Sequence, residues 1–166
     1  MQENLSLKNV SRILVVVLEG NLGLRISDIL SLRLSDIVRD GDRYRLEIAE
    51  QKTKKKRVFT VPLVIQQYIE NYCLRNGLEK TERIFDLTER TINKQLALVC
   101  DYLGFEGIRT HSFRKWYATE IYKNNGYDIT LVQRLLQHSS AAITQRYIGI
   151  EPQRIEEAIE GHTQLL

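Results

Sequence analysis

The hydrophobic period of this chain changes twice, from helical to alternating and back, and that order confines it to few folds. Arg43-Tyr44-Arg45-Leu46-Glu47-Ile48 alternates directly after the turn sequence Asp40-Gly41-Asp42, as a half-buried strand leaving a tight turn does. A second β-rich run, Arg57 to Val61, stops at Pro62, and a short strand is expected around Ile37. Together these predict a small antiparallel sheet whose second turn carries Lys52, Lys54, Lys55 and Lys56. Everything after Pro62 reads as helix.

Before the sheet, Lys8 to Glu19 is one apolar-rich element. Its Val15, Val16 and Val17 suit a strand, while its length and the following Gly20-Asn21 allow a buried helix. Arg25 to Leu32 places Ile26, Ile29 and Leu30 on one helical face. After the sheet, Ile65, Tyr68, Ile69, Tyr72 and Cys73 share a face, and Asn76-Gly77 is a stop. Thr88 is placed to cap a helix carrying Ile92, Leu96, Val99 and Cys100. Thr110 is placed to cap Ser112 to Lys123, Asp128 to cap Ile129 to Gln137, and Ser140 to cap the segment leading to Tyr147. Pro152 lies near the start of a last short helix, Arg154 to Ile159. The expected class is therefore α+β, mainly α-helical with a small three-stranded antiparallel sheet. No repeat, low-complexity tract or linker interrupts it.

At 166 residues with 43% hydrophobic content, one domain with one sizeable core is expected. The net charge is +3, but Lys52 to Arg57 holds five basic groups in six positions. Taking those five from 24 leaves 19 basic against 21 acidic residues, so the positive charge is focused at one hairpin, as a phosphate-facing surface would be. A run like this is also found in solvated, flexible turns. Cys73 and Cys100 sit on apolar helical faces, which reads as buried thiols in a reducing compartment, and no Cys/His set has zinc spacing. Met1-Gln2-Glu3-Asn4 lacks a signal-peptide pattern, and Ile13 to Leu18 is too short to span a bilayer. The expectation is a soluble cytoplasmic protein.

Several residue types here suit an attack on a phosphodiester. Arginine binds two phosphate oxygens through its planar fork and stays charged at every relevant pH. Arg25 follows Gly23 and precedes Asp28 by three positions, close enough for the carboxylate to hold the guanidinium, though such a pair is commonly a surface ion pair. His111 and Arg114 are likewise three apart on one helix. Of three histidines, His111 and His138 have this kind of context and His162 has none. Tyr147 lies nine residues after His138. A phenol is almost wholly protonated at neutral pH, so as a nucleophile it needs a base or bound cations beside it.

Singly these are weak signals; their order and spacing are not. Leu22-Gly23-Leu24-Arg25-Ile26-Ser27-Asp28-Ile29-Leu30-Ser31-Leu32, then His111-Ser112-Phe113-Arg114 with Trp116-Tyr117-Ala118-Thr119, then Leu135 to Tyr147, resemble the three boxes of the tyrosine recombinases (phage-type integrases). The resemblance runs from about Leu14 to Ile150 and places a helix over Lys8 to Glu19. Gln137 departs from it, standing where glycine is common, as do Phe113 and Lys115, where leucine and histidine are more usual.

The resemblance implies the recombinase catalytic fold over residues 1–166, with the customary N-terminal core-binding domain outside this chain. It implies DNA cleavage and rejoining through a 3′-phosphotyrosyl link, with no metal, ATP or other cofactor. Arg25 and Arg114 would bind the scissile phosphate, with Asp28 behind Arg25. His111 and His138 would bond its oxygens and help proton transfer, and Tyr147 would attack. Lys52 would protonate the leaving 5′ oxygen. Lys52-Thr53 fits the usual Lys-Thr start of this turn, although a shorter spacing to Pro62 in many members would select Lys54 instead; two extra residues keep the strand facing. Lys54, Lys55, Lys56 and Arg57 would contact DNA. The implied partner is double-stranded DNA, bound by a homotetramer that is a monomer when free, with no membrane. A silent DNA-binding module of the same fold and a type IB topoisomerase are the alternatives. The DNA site, and whether the setting is a mobile element or a chromosome, are not legible.

Overall fold

A computed structural model of the chain describes residues 2–52, 54–149 and 159–162. Its elements are α1 (Gln2–Leu22), α2 (Ile26–Ser31), a 3-10 turn (Leu34–Asp36), β1 (Ile37–Asp40), β2 (Arg43–Ala49), β3 (Lys56–Val61), α3 (Leu63–Arg75), α4 (Glu89–Leu103), α5 (Thr110–Asn124), α6 (Ile129–Leu136) and α7 (Ala141–Ile148). The class is the expected one, α+β and mainly helical. The ambiguous valine-rich element is helix, because Leu14, Val15, Leu18 and Leu22, spaced at the helical period, are all buried.

The strands form one antiparallel sheet in the order β1-β2-β3. Register pairs Ile37 with Leu46, Leu46 with Phe59 and Ile48 with Arg57. One face of β2 therefore carries Leu46 and Ile48, and the same parity continues to Glu50 beyond the strand's end. On β3 that face carries Arg57, Phe59 and Val61. The lysine-bearing loop is closed by Glu50 N–H donating to the Lys55 carbonyl (3.0 Å) and Lys54 N–H donating to that of Glu50 (2.9 Å).

The chain divides into two compact units, Met1–Tyr117 and Ala118–Leu166. Length alone suggested one core, whereas the buried apolar residues fall into two clusters. In the first unit Leu14, Leu18, Leu24, Ile29, Leu46, Val61, Ile69 and Ile92 gather. In the second, Ala118, Val132, Leu136 and Ile148 are backed by Ile121, Tyr122, Ile129 and Tyr147. Cys73 and Cys100 are buried free thiols. Tyr68 and Val99, assigned above to inward faces, are exposed; each sits at the edge of its helix's apolar stripe. Thr110 does not precede its helix but opens it, and Ser112 Oγ accepts instead from Arg109 N (3.1 Å). Most of the expected last helix, Arg154 to Ile159, lies outside the described residues.

Candidate active site

In the first unit the site is built around the carbonyl of Gly23. Gly23 ends α1, its N–H donating to the Glu19 carbonyl (3.1 Å), and adopts a left-handed φ of 57°. A Cβ there would collide with the Tyr117 ring, so glycine is required by both conformation and space. The exposed carbonyl oxygen accepts from Arg114 Nη1 (2.6 Å) and from Arg57 Nη1 (3.4 Å).

Arg25 is the residue just before α2, with an extended backbone. Its Nη1 meets Glu50 Oε2 at 2.5 Å and lies 4.0 Å from Asp28 Oδ2. Asp28 is only 1% exposed, and its Oδ1 accepts from Gln51 N (2.8 Å). One carboxylate thus ties the base of the lysine loop to the helix that presents Arg25. Glu50, fully buried, also pairs with Arg57 (3.5 Å). The result is one linked chain of charge: Asp28, Arg25, Glu50, Arg57, the Gly23 carbonyl, Arg114.

Arg57 was expected among the DNA-facing cations. It is instead 3% exposed, beneath the loop rather than on it, with its guanidinium 4.7 Å from the Phe59 ring centroid. Parity explains the difference: Arg57 points to the same face as Phe59 and Val61. Burial, then the like charge of Arg114, pulls its pKa down to about 10, with Glu50 opposing. It remains a cation at neutral pH. Arg114 is 4% exposed on α5, and His111, one turn earlier, is exposed. Lys52, Lys54, Lys55 and Lys56 are exposed. Lys54 holds a left-handed φ of 57°.

In the second unit Asp128 Oδ1 caps α6, accepting from Thr130 N (2.8 Å) and Leu131 N (3.0 Å). The helix ends at Gln137, left-handed at φ 55°, and His138 N–H donates back to the Gln133 carbonyl (3.0 Å), a Schellman-type closure. His138 Nδ1 lies 3.1 Å from Thr144 Oγ1, and that hydroxyl donates to the Ser140 carbonyl (3.3 Å). With its proton so used, the hydroxyl accepts from Nδ1–H, which leaves Nε2 of the neutral ring as the acceptor. The His138 and Tyr147 rings meet edge to face, centroids 5.2 Å apart at 80°. Nine residues separate the two in sequence; the Ser140 cap, accepting from Ile143 N (3.3 Å), starts α7 between them.

A sequence model of the phage integrase family matches residues 3–154. The chain belongs to that family. Among relatives of this integrase domain, a probable integrase/recombinase, YoeC of Bacillus subtilis, is 36% identical over 139 residues, covering 79% of this chain and 73% of the relative. Tyrosine recombinase XerA of Pyrococcus furiosus is 29% identical over 157 residues, 90% of this chain and 53% of the relative. The integrase fold is shared with XerH recombinase in a post-cleavage complex with difH DNA (TM-score 0.72, 24% identity, 90% of this chain and 45% of that one). It is shared also with the catalytic domain of bacteriophage HP1 integrase (TM-score 0.61, 22% identity, 90% and 80%). The chain spans about half the length of the archaeal relative and of XerH, and about three quarters of YoeC. All are recombinases or integrases, which favours neither the silent module nor the topoisomerase.

Sequence reasoning missed Glu50 and Thr144 as partners. The alternation of β2, carried two residues past Ile48, would have put Glu50 on the inner face. Thr144 sits six residues after His138, but nothing in the sequence marks its hydroxyl.

Proposed function

We propose that this chain supplies the catalytic centre of a site-specific DNA recombinase. The observation that carries the reading is the buried guanidinium cluster: Arg57 and Arg114 converge on one carbonyl, with Arg25 tied to them through Glu50. Guanidinium groups held this closely repel one another, and a phosphodiester is the natural neutralising ligand. Arg25 and Arg114 take the non-bridging oxygens of the scissile phosphate, and Arg57 supplies further positive field from behind. His111 and His138 bond the same oxygens.

Tyr147 Oη attacks phosphorus, its proton passing to histidine, and the bond to the 5′ oxygen breaks as Lys52 Nζ gives that oxygen a proton. The products are a 3′-phosphotyrosyl link and a 5′-hydroxyl. Rejoining runs the same steps backwards from the hydroxyl of a second strand. Lys54, Lys55 and Lys56 cover neighbouring phosphates, and the working assembly is a tetramer on duplex DNA formed from free monomers.

The test is covalent trapping. A cognate duplex, recovered by binding selection from random sequence, is nicked so that the cleaved strand escapes. Wild type then accumulates a protein–DNA adduct. Tyr147→Phe binds the duplex and forms none; an adduct at the wild-type rate from that variant removes the reading.

A further inference from the structure

Arg25, Arg57 and Arg114 set three positive charges against the two carboxylates of Asp28 and Glu50 in the linked cluster. A third carboxyl stands beside this balance. Glu19 occupies the buried stripe of α1 between Val15 and Leu22, is 1% exposed, and bonds Gly23 through its backbone carbonyl. Its Oε2 is buried with no hydrogen-bond partner among the described residues. The charged groups that act on it are Arg114 from α5 and Glu89 from α4.

A carboxylate buried without hydrogen bonds is costly, so such a group keeps its proton. Burial pushes Glu19 up to about 8, with Glu89 adding to the rise and Arg114 opposing it. Tyr117, a half-buried acid beside the cluster, is raised above its ordinary value by desolvation, with Arg57 and Arg114 opposing, and so titrates later.

We propose that Glu19 is a positioning residue that sets the charge Arg114 presents to DNA: protonated, it leaves the cluster's positive charge for the phosphate; ionised, it draws Arg114 to itself and cancels that charge. This rests on the reading of Arg114 as a phosphate ligand. Linkage gives the direction. A bound phosphate disfavours the Glu19 carboxylate, so ionised Glu19 weakens phosphate binding by the same factor, about tenfold if the mutual shift is about one pKa unit.

The experiment measures affinity for the selected duplex from pH 6.5 to 9.5 at fixed ionic strength, in a Tyr147→Phe background that cannot cleave. With Glu19, affinity falls about tenfold as pH rises through 8. Glu19→Gln keeps the neutral-pH affinity and loses the fall; Glu19→Leu, suited to the apolar stripe, does the same. An equal alkaline loss in both variants overturns the proposal. Carbon-13 NMR of the wild-type carboxyl supplies the reading that needs no variant: titration near 8, moving upward when the duplex is added. Titration below pH 6 overturns the proposal whatever the variants do. If Tyr147→Phe fails to abolish the adduct in otherwise native protein, the catalytic reading fails instead.

Discussion

Lys52 and Lys54 are separated by one residue in the same loop, and the backbone treats them differently. Lys54 shapes the turn: its φ is 57°, and its N–H closes onto the Glu50 carbonyl. Lys52 directly follows Gln51, whose N–H is held by the buried Asp28 carboxylate. Its side chain is therefore launched from the fixed end of the loop, beside the helix that presents Arg25. If Lys52 is the general acid, Lys52→Ala slows cleavage by about 10²–10⁴-fold, the usual value of a positioned acid. A 5′-bridging phosphorothioate, whose thiolate leaves without a proton, restores the rate. Lys54→Ala leaves cleavage within a few-fold and needs no rescue; rescue of Lys54→Ala in place of Lys52→Ala shifts the assignment two residues along. At this scale the sequence exposed the residues that bear motifs and hid those that support them. Arg25, His111, Arg114, His138 and Tyr147 were singled out as candidates by spacing. Glu19 and Glu50 were not, because an acidic residue on an inward face contradicts the usual polar-out pattern and is tolerated only beside buried cations or with its proton kept. Arg57 was misread for a related reason: its place in a basic run spoke louder than its parity in β3.

Elements were read best where a side chain closes a helix. Thr88 accepts from Thr91 N (3.2 Å), Asp128 caps α6 and Ser140 caps α7, as their positions indicated. The hairpin was legible because its period is two and its turns are marked. The fate of α1 was not settled by its own residues, since β-branching and length pointed opposite ways and only tertiary burial decides. The α6 end shows what local strain a motif can carry. Gln137 sits left-handed in the position where glycine is common, a conformation costing about 1–2 kcal/mol for a residue with a Cβ. Gln137→Gly relieves that strain but adds unfolded-state entropy of about 0.4–1 kcal/mol. The variant is therefore expected to be more stable by roughly 0.5–1 kcal/mol, read as a higher urea midpoint at unchanged slope. A lower midpoint would mean that the Gln137 side chain contributes more than its backbone loses.

For the whole molecule, the open matter is what the last segment touches. By sequence spacing Ile155, Ala158 and Ile159 fall on one face of the expected helix, and a helix of that length has no stability unless it docks. Residues 150–158 lie outside the described residues, but Ile159 is described and is 68% exposed. An apolar side chain exposed there is suited to contact with a second protomer. Removal of 151–166 is therefore expected to leave thermal stability and single-site adduct formation near wild type, while pairing of two duplexes, followed by native gel or light scattering, is lost. The opposite pattern, a lowered melting temperature with normal pairing, places the tail on its own domain and ends the case for exchange.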